Sequence, residues 1–432
     1  MRLRTGLFTL VIACRLWAGP GAPPAAGTLS LEDCVRLALE APSAVSLSDR
    51  AVGIAREQQT VARSGFLPQV RLGSGFVYNS PLLEHRDQFS FVALNGIREY
   101  LMVVDSTWEI DLSGRLRAGL AVARAQRSLA QAERRLAERD LRRAVAVAFY
   151  DVLLTRRLAK LEAAALERAR DFENRTRALQ AQGEASMADV YKAAAQRARF
   201  ERRVSQARMN ARLANQVLAS YWTDDVDRRL ELEDTLDRPP PLPAELSAPP
   251  DAVPALVQRR PELLRFDALQ QQFRAEETAA RAGLRPQANV VFQYGLDSNR
   301  VRWPDRGYAA FVTLDIPLFD WFRSRGGARQ ARYRAEQVAQ QRAIAVRVFS
   351  REYYAAKARA ESWYERIAVA REEVRSAREN LRLARLLYEG GEGLALDVVT
   401  AQTQVADAGA AYYTAIAGYL KALVDFEVAS GK

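Results

Sequence analysis

Two hydrophobic periods alternate along the chain, and their order is written twice. From Leu101 to Leu112 the positions Met102, Val104, Trp108, Ile110 and Leu112 are apolar on one face, while Asp105, Thr107, Glu109 and Asp111 occupy the other. This is the period-two pattern of a strand. Val70, Leu72, Phe76 and Tyr78 alternate in the same way with Arg71 and Asn79, Val290, Phe292, Tyr294 and Leu296 with Asn289 and Gln293, and Val312, Leu314, Ile316 and Leu318 with Thr313 and Asp315. Four strands of about ten residues are predicted, the length of a tilted transmembrane strand that is apolar outward and polar toward a lumen.

The stretches that follow the strands read as helices of unusual length. From about Gly114 to Gln182 and from about Arg323 to Glu389 there is no proline, and Ala, Leu, Arg, Glu and Gln dominate. At 1.5 Å per residue each spans ~100 Å, more than a globular core can contain. Returning helices over about Ser186 to Tyr221 and Ala395 to Ala429 follow the glycine turns Gly183 and Gly390-Gly391-Glu392-Gly393, which predicts two antiparallel helical hairpins. Upstream, Leu31 to Glu40 and Ser48 to Ser64 read as shorter helices, the first opened by the capping pattern Ser30-x-x-Asp33.

The repetition is visible residue by residue. Gly65-Phe66-Leu67-Pro68-Gln69 recurs as Gly283-Leu284-Arg285-Pro286-Gln287, an offset of 218, whereas Trp108-Glu109-Ile110-Asp111-Leu112 recurs as Leu314-Asp315-Ile316-Pro317-Leu318, an offset of 206. The first repeat therefore carries about twelve more residues between its two strands, roughly within Ser80 to Arg98. The implied organisation is a leader over 1–27 and a first repeat over 28–222, with β-hairpin 68–113 and helical hairpin 114–222. A Pro-rich connector over 223–255 leads to a second repeat over 256–432, with β-hairpin 286–321 and helical hairpin 323–430. Pro239-Pro240-Pro241 can neither continue a helix nor donate to a ladder, so the connector reads as stiff.

Composition removes several functions. The 63 basic and 52 acidic residues of the 432 leave a net charge of +11. The excess is arginine interleaved with acids along helices, unlike the patch or tail of a nucleic-acid binder, so no nucleic-acid partner is expected. His85 is the sole histidine and lies among Glu84, Arg86 and Asp87 in a loop-like segment, a poor basis for a triad or a metal site. Cys14 and Cys34 make no disulfide framework. No phosphate-binding loop, cofactor motif or catalytic constellation is present, so the chain is not expected to be an enzyme or to hold a cofactor.

The N-terminus carries Arg2 and Arg4, an apolar run from Gly6 to Ala13 and small residues to Gly27, the order of an export signal. Val11-Ile12-Ala13-Cys14 also fits a lipobox, which makes Cys14 a candidate for lipidation, in competition with cleavage near Ala26 or Gly27. No later stretch reaches the ~20 apolar residues of a spanning helix, so entry into a membrane would be through strands. Four strands cannot close alone, because spanning barrels begin at about eight and open edges are not tolerated in lipid. A barrel shared between chains is implied, with twelve strands from three copies.

Specific motifs agree. Trp108-Glu109-Ile110-Asp111-Leu112-Ser113-Gly114-Arg115-Leu116-Arg117, the duplicated strand starts, and Tyr388-x-x-Gly391 followed by Leu396-Asp397-Val398-Val399-x-Ala401-Gln402 resemble the outer membrane efflux proteins of the TolC-like family, from about Leu29 to Gly431. The resemblance implies a mixed α and β fold, namely a homotrimeric 12-stranded outer-membrane β-barrel continued by a periplasmic α-helical barrel. It also implies docking to a periplasmic adaptor and an inner-membrane pump that supplies the energy. The role implied is the exit duct of a tripartite efflux pump, with a type I protein secretion channel as the neighbouring alternative. A periplasmic coiled-coil structural protein would explain the helices but not the strands. Cargo is left open.

In such proteins side chains at the two hairpin turns close the periplasmic tip, and by resemblance the matching positions are Asp189, Tyr388 and Asp397. The chain departs from the family pattern at Gly393, where an arginine is usual, and at Thr400, where a second aspartate is usual. Glu184, Glu389 and Glu392 are other charges near the turns.

Overall fold

A computed structural model describes residues 28–80, 97–247 and 253–431. The leader with Cys14, and His85 with most of the expected long loop, lie outside the described residues. The first half runs α1 (Leu31–Glu40), α2 (Ala44–Ser64), β1 (Gln69–Tyr78), β2 (Arg98–Ile110), α3 (Arg115–Ala181) and α4 (Met187–Ala219). The second runs α5 (Val253–Val257), α6 (Pro261–Ala282), β3 (Gln287–Ser298), β4 (Arg306–Asp315), α7 (Arg323–Glu389) and α8 (Ala395–Ala429). Helix α2 starts four residues earlier than its apolar pattern suggests, because the Ser43 N–H donates to Ser46 Oγ at 3.0 Å and caps the extra turn.

The four strands form one antiparallel sheet in the order β1-β2-β3-β4, so the two hairpins join through β2 and β3. Nineteen residues separate β1 from β2 and seven separate β3 from β4, which accounts for the twelve-residue difference in offset. Strand β2 begins earlier than expected and ends at Ile110, one residue before Asp111. Asp111 is not a lumen-facing strand residue. Its carboxylate accepts from the backbone N–H of Leu116 at 3.0 Å and of Arg117 at 3.1 Å, so it caps α3. Asp320 caps α7 in the same manner, accepting from Ser324 N at 2.8 Å. A carboxylate there stabilises orphan N–H groups and the positive end of the dipole.

Helices α3 and α7 have 67 residues each, about 100 Å at 1.5 Å per residue. They pair with α4 and α8 as antiparallel hairpins. Small side chains make the close approach: Ala165, Ala169, Ala193, Ala395, Ala401 and Ala406 are buried along the contacts. The largest core lies midway along the bundle, where Phe149, Val152, Leu218, Ile416 and Tyr419 meet Cys34 and Ala38 of α1. Each such side chain contributes about 1.5–3 kcal/mol on burial.

The connector does more than separate the halves. Leu230, Leu232 and Leu236 are buried in that central core, Leu29 N–H donates to Glu231 O at 2.7 Å, and Tyr419 Oη donates to Pro241 O at 3.1 Å. The segment straps α1, α3 and α8 together, since leaving its three leucines in water would cost several kcal/mol. Among the described residues no helix is long and apolar enough to cross a membrane.

Candidate functional site

The register sorts the sheet into two chemically distinct faces. Val104 of β2 lies between Leu72 of β1 and Tyr294 of β3, and Tyr294 in turn opposes Tyr308 of β4. Continuing by twos places Val70, Phe76, Met102, Trp108, Val290, Phe292, Val312 and Leu314 on that same face. The other face carries Arg71, Asp105 and Gln293 in one cross-strand row, with Gln293 Nε2 donating to Asp105 Oδ1 at 2.6 Å. The apolar face is uncovered: Leu72 is 69% exposed, Val312 69% and Tyr308 79%. A soluble sheet would bury this face against another layer. The outer edges of β1 and β4 have no ladder partner among the described residues.

At the other end of the long helices lie the hairpin turns. Gly183 and Gly391 take left-handed backbone with φ of 81° and 77° and reverse the chain. Gly393 has a different constraint. A Cβ on it would lie 2.9 Å from Tyr388 N and 3.0 Å from Leu387 C, because its own N–H donates to Leu387 O at 3.0 Å. The departure from arginine at this position thus has a steric basis in the tight turn.

Asp189 and Asp397 occupy the same helical position, the third residue of α4 and of α8. Their surroundings differ. Asp189 accepts from Ser186 Oγ at 2.7 Å and Lys192 Nζ at 3.1 Å. The serine hydroxyl, joined by the lysine, holds its carboxyl below the usual carboxylate range against the opposing effect of burial. In α8 the residue matching Ser186 is Leu394, and Asp397 is exposed without an ion-pair partner among the described residues. Helices α4 and α8 run side by side here, tied by Gln196 Nε2, which donates to Val399 O at 3.2 Å and Thr403 Oγ1 at 2.8 Å. Tyr388 belongs to the apolar cluster at this tip, which includes Ala193 of α4 and Ala395 and Val398 of α8. Its ring packs against Phe172 of α3 with centroids 5.2 Å apart.

Of the glutamates near the turns, Glu184 and Glu392 are exposed, whereas Glu389 accepts from Arg175 Nη1 of α3 at 2.6 Å. Arg175 and Phe172 were not legible as site residues, since helix periodicity gives no sign of contacts between positions more than 200 apart, whereas Lys192 stands one turn from Asp189 on the same helix, a spacing the sequence does carry. Among the described residues no group of three or more His, Cys, Asp or Glu side chains is placed to hold a metal ion.

Comparison with known proteins gives a consistent result. The sequence pattern of the outer membrane efflux protein family matches residues 38–223 and 252–432. No curated protein matches the chain. Among solved structures, a membrane protein from Pseudomonas aeruginosa is similar with a TM-score of 0.81 at 21% identity, over 93% of this chain and 90% of that one. The outer membrane protein VceC of Vibrio cholerae gives 0.80 at 16% identity, over 93% and 96%. The MtrE outer membrane channel of Neisseria gonorrhoeae, in its open state, gives 0.79 at 20% identity, over 93% and 88%. These likenesses extend to the whole arrangement of small sheet and long helices.

Proposed function

The chain belongs to the outer membrane efflux protein family, and from that premise we propose that it is the outer-membrane exit duct of a tripartite efflux pump. Three copies close a twelve-stranded barrel in the outer membrane, each giving four strands, and their helical hairpins continue it as a periplasmic tunnel. The observation that carries this reading is the sheet, with one face apolar and uncovered and both edge strands open. In lipid an open edge is not sustainable, and β4 of one copy pairing with β1 of the next removes it. Helix α2 supports the same assembly: Leu47, Ile54 and Val61 recur at seven-residue spacing and are 73%, 61% and 70% exposed, a stripe suited to a neighbouring helix.

The duct itself performs no chemistry. Substrates are delivered by an inner-membrane pump through a periplasmic adaptor, and export energy comes from that pump. Asp189 and Asp397, brought toward the threefold axis, form an acidic mouth at the periplasmic end, while Tyr388 fastens the tip of α7 to α3. Light scattering on detergent-purified protein tests the assembly: a trimer is expected, and a monodisperse monomer with intact secondary structure would refute it. Copurification of a periplasmic adaptor, with increased antibiotic susceptibility on deletion, separates an efflux duct from a polypeptide secretion channel.

A further inference from the structure

The two repeats stack in one row: α2 packs on α3, α3 on α6 and α6 on α7, beneath strands in the order β1-β2-β3-β4. Gly65 to Gln69 recurs at Gly283 to Gln287, so α2 matches α6 at an offset of 218. Helix α3 begins at Arg115 where α7 begins at Arg323, so these match at an offset of 208. Within the chain α3 carries two rows of buried alanines. Ala123 and Ala130 lie on the side of Leu116, which adjoins Gly65 of α2. Ala118, Ala125 and Ala132 lie between Glu133 and Arg139, which pair with Arg265 and Glu262 of α6. Helix α7 keeps the first row as Ala331 and Val338, buried on the side where Gly327 adjoins Ala280 of α6. At the places of the second row it has Gly326, Tyr333 and Gln340. Tyr333 is 65% exposed, and a Cβ placed on Gly326 would meet no atom within 4 Å. That face of α7 is open.

The matching face of α2 is open as well, and it is apolar where α6 is charged. The seam between α3 and α6 is polar: Arg265 pairs with Glu133 at 3.5 Å, Arg139 with Glu262 at 2.8 Å, and Arg285 Nη1 donates to Ser113 O at 3.2 Å. At the places of Glu262, Arg265 and Arg285 the first repeat has Ala44, Leu47 and Leu67. At the place of Ser113 the second repeat has Trp321, 82% exposed. The next residue is the N-cap, where Gly114 with φ of 82° gives way to Phe322 at 65°, and Trp321 itself is at 54°. Bulky residues rarely take such backbone, and the strain persists where surrounding contacts over-determine it. The polar contact of Arg285 with Ser113 thus has an apolar counterpart in Leu67 and Trp321. Counting away from that match along antiparallel helices brings Val61 to within a residue of Gly326, and Ile54 to within a residue of Tyr333.

We propose that these two faces form one interface, between α2 of one copy and α7 of the next, with Val61 seated at Gly326, Ile54 on Tyr333 and Leu67 on Trp321. The inference rests on the assembly of three copies proposed above, and adds which helices meet and in what register. The faces lie at opposite ends of the α2-α3-α6-α7 row, and a ring of copies brings each to its complement beneath the pairing of β4 with β1. Val61 opposite a glycine is a knob facing a hole, and Leu47, Ile54 and Val61 keep the seven-residue spacing that such packing needs. The seam between copies is apolar where the seam within a chain is charged, so a charged residue on this face of α2 finds no partner: Gln341 stands at the place of Glu133.

The test is oxidative cross-linking of the full-length protein in membranes. Val61→Cys with Gly326→Cys should give covalent dimers and trimers on a non-reducing gel, since a disulfide forms only where Cα atoms come within about 7 Å. Val61→Cys with Tyr333→Cys, displaced by seven residues, should remain unlinked, as should the native protein, whose Cys34 is buried. A second measurement uses no cysteine and carries the test if the double cysteine variant does not fold. Leu47→Arg should lower the detergent-resistant trimer several-fold, and adding Gln341→Glu, which recreates the Arg265 and Glu133 pair between copies, should restore it. Unlinked thiols at 61 and 326 in a protein that is trimeric by light scattering would overturn this interface and leave the shared barrel standing. So would linkage of the displaced pair, or a Leu47→Arg trimer that Gln341→Glu does not restore. A monodisperse monomer would overturn the assembly and the interface together.

Discussion

Glu173 of α3 accepts from Arg197 Nε of α4 at 2.7 Å while only 3% of its side chain is exposed, so the first helical hairpin is fastened by a carboxylate sealed inside it. Arg177, one turn on, donates to the other oxygen of the same group. Glu173→Ala leaves both arginines partly solvated but opens a hole in the contact. It should cost about 2 kcal/mol, below the usual loss for a fully buried pair because the cations can reach water. The urea midpoint of the helical signal measures this, with Glu173→Gln expected to fall between Ala and the native protein. An unchanged midpoint for Ala would mean the ion pair does not hold the hairpin.

Gly393 should not accept the arginine that is usual in the family. Its Cβ would press on the backbone of Leu387 and Tyr388, not on a flexible side-chain end. Gly393→Arg is expected to loosen the α7–α8 turn instead of latching it, with amide exchange of residues 388–395 accelerated about tenfold, equivalent to ~1.4 kcal/mol. Exchange slower than in the native protein would show that the turn can rearrange around a side chain.

The acidic mouth proposed for Asp189 and Asp397 should govern ion selectivity. Asp189→Asn with Asp397→Asn is expected to lower cation preference in planar bilayers, most clearly at low salt, since screening reaches ~8 Å at 0.15 M. The reversal potential under a salt gradient reports it, and identical values for native and double variant would remove both residues from the constriction.

That selectivity also has a predicted pH dependence. The folded-state pKa of Asp189 is depressed by Ser186 and Lys192, so the stability it contributes is present above the unfolded carboxylate value of ~3.9 and is lost as pH falls below that through the folded value. Asp397→Asn should therefore keep its cation preference to a lower pH than an ordinary carboxylate would allow. Adding Ser186→Ala should shift the loss of preference to higher pH. The same titration midpoint with and without Ser186 would contradict this.

An epitope inserted near His85 should be labelled on intact cells. The segment joins β1 to β2 at the end of the sheet away from α3, which the proposed orientation places at the cell surface. Labelling only after permeabilisation would invert that orientation.

Much of the architecture follows from local rules that the sequence states openly. Period-two alternation marked the strands around Val104 and Val312, and proline-free Ala-rich stretches marked α3 and α7, because strand and helix periods are properties of consecutive residues. The two offsets located the longer loop for the same reason. What the tertiary structure decided are relationships between distant positions. Asp111 belongs to the strand pattern, yet it serves as a helix cap because the chain turns at Gly114 and brings the α3 N–H groups to it. Leu230, Leu232 and Leu236 sit in a segment that composition marks as a connector, and only the packing of α1, α3 and α8 gives them a core to enter. Asp189 and Asp397 share a helical position, and the difference between them is a local one that the sequence does carry: Ser186 precedes one by three residues and Leu394 the other, so only one carboxylate is held. Arg175 and Glu389 lie 214 positions apart and pair at 2.6 Å, and nothing in either neighbourhood announces the other. Local propensity is encoded in adjacent residues, whereas convergence of charges is set by how long helices are laid side by side, and that information exists only in three dimensions.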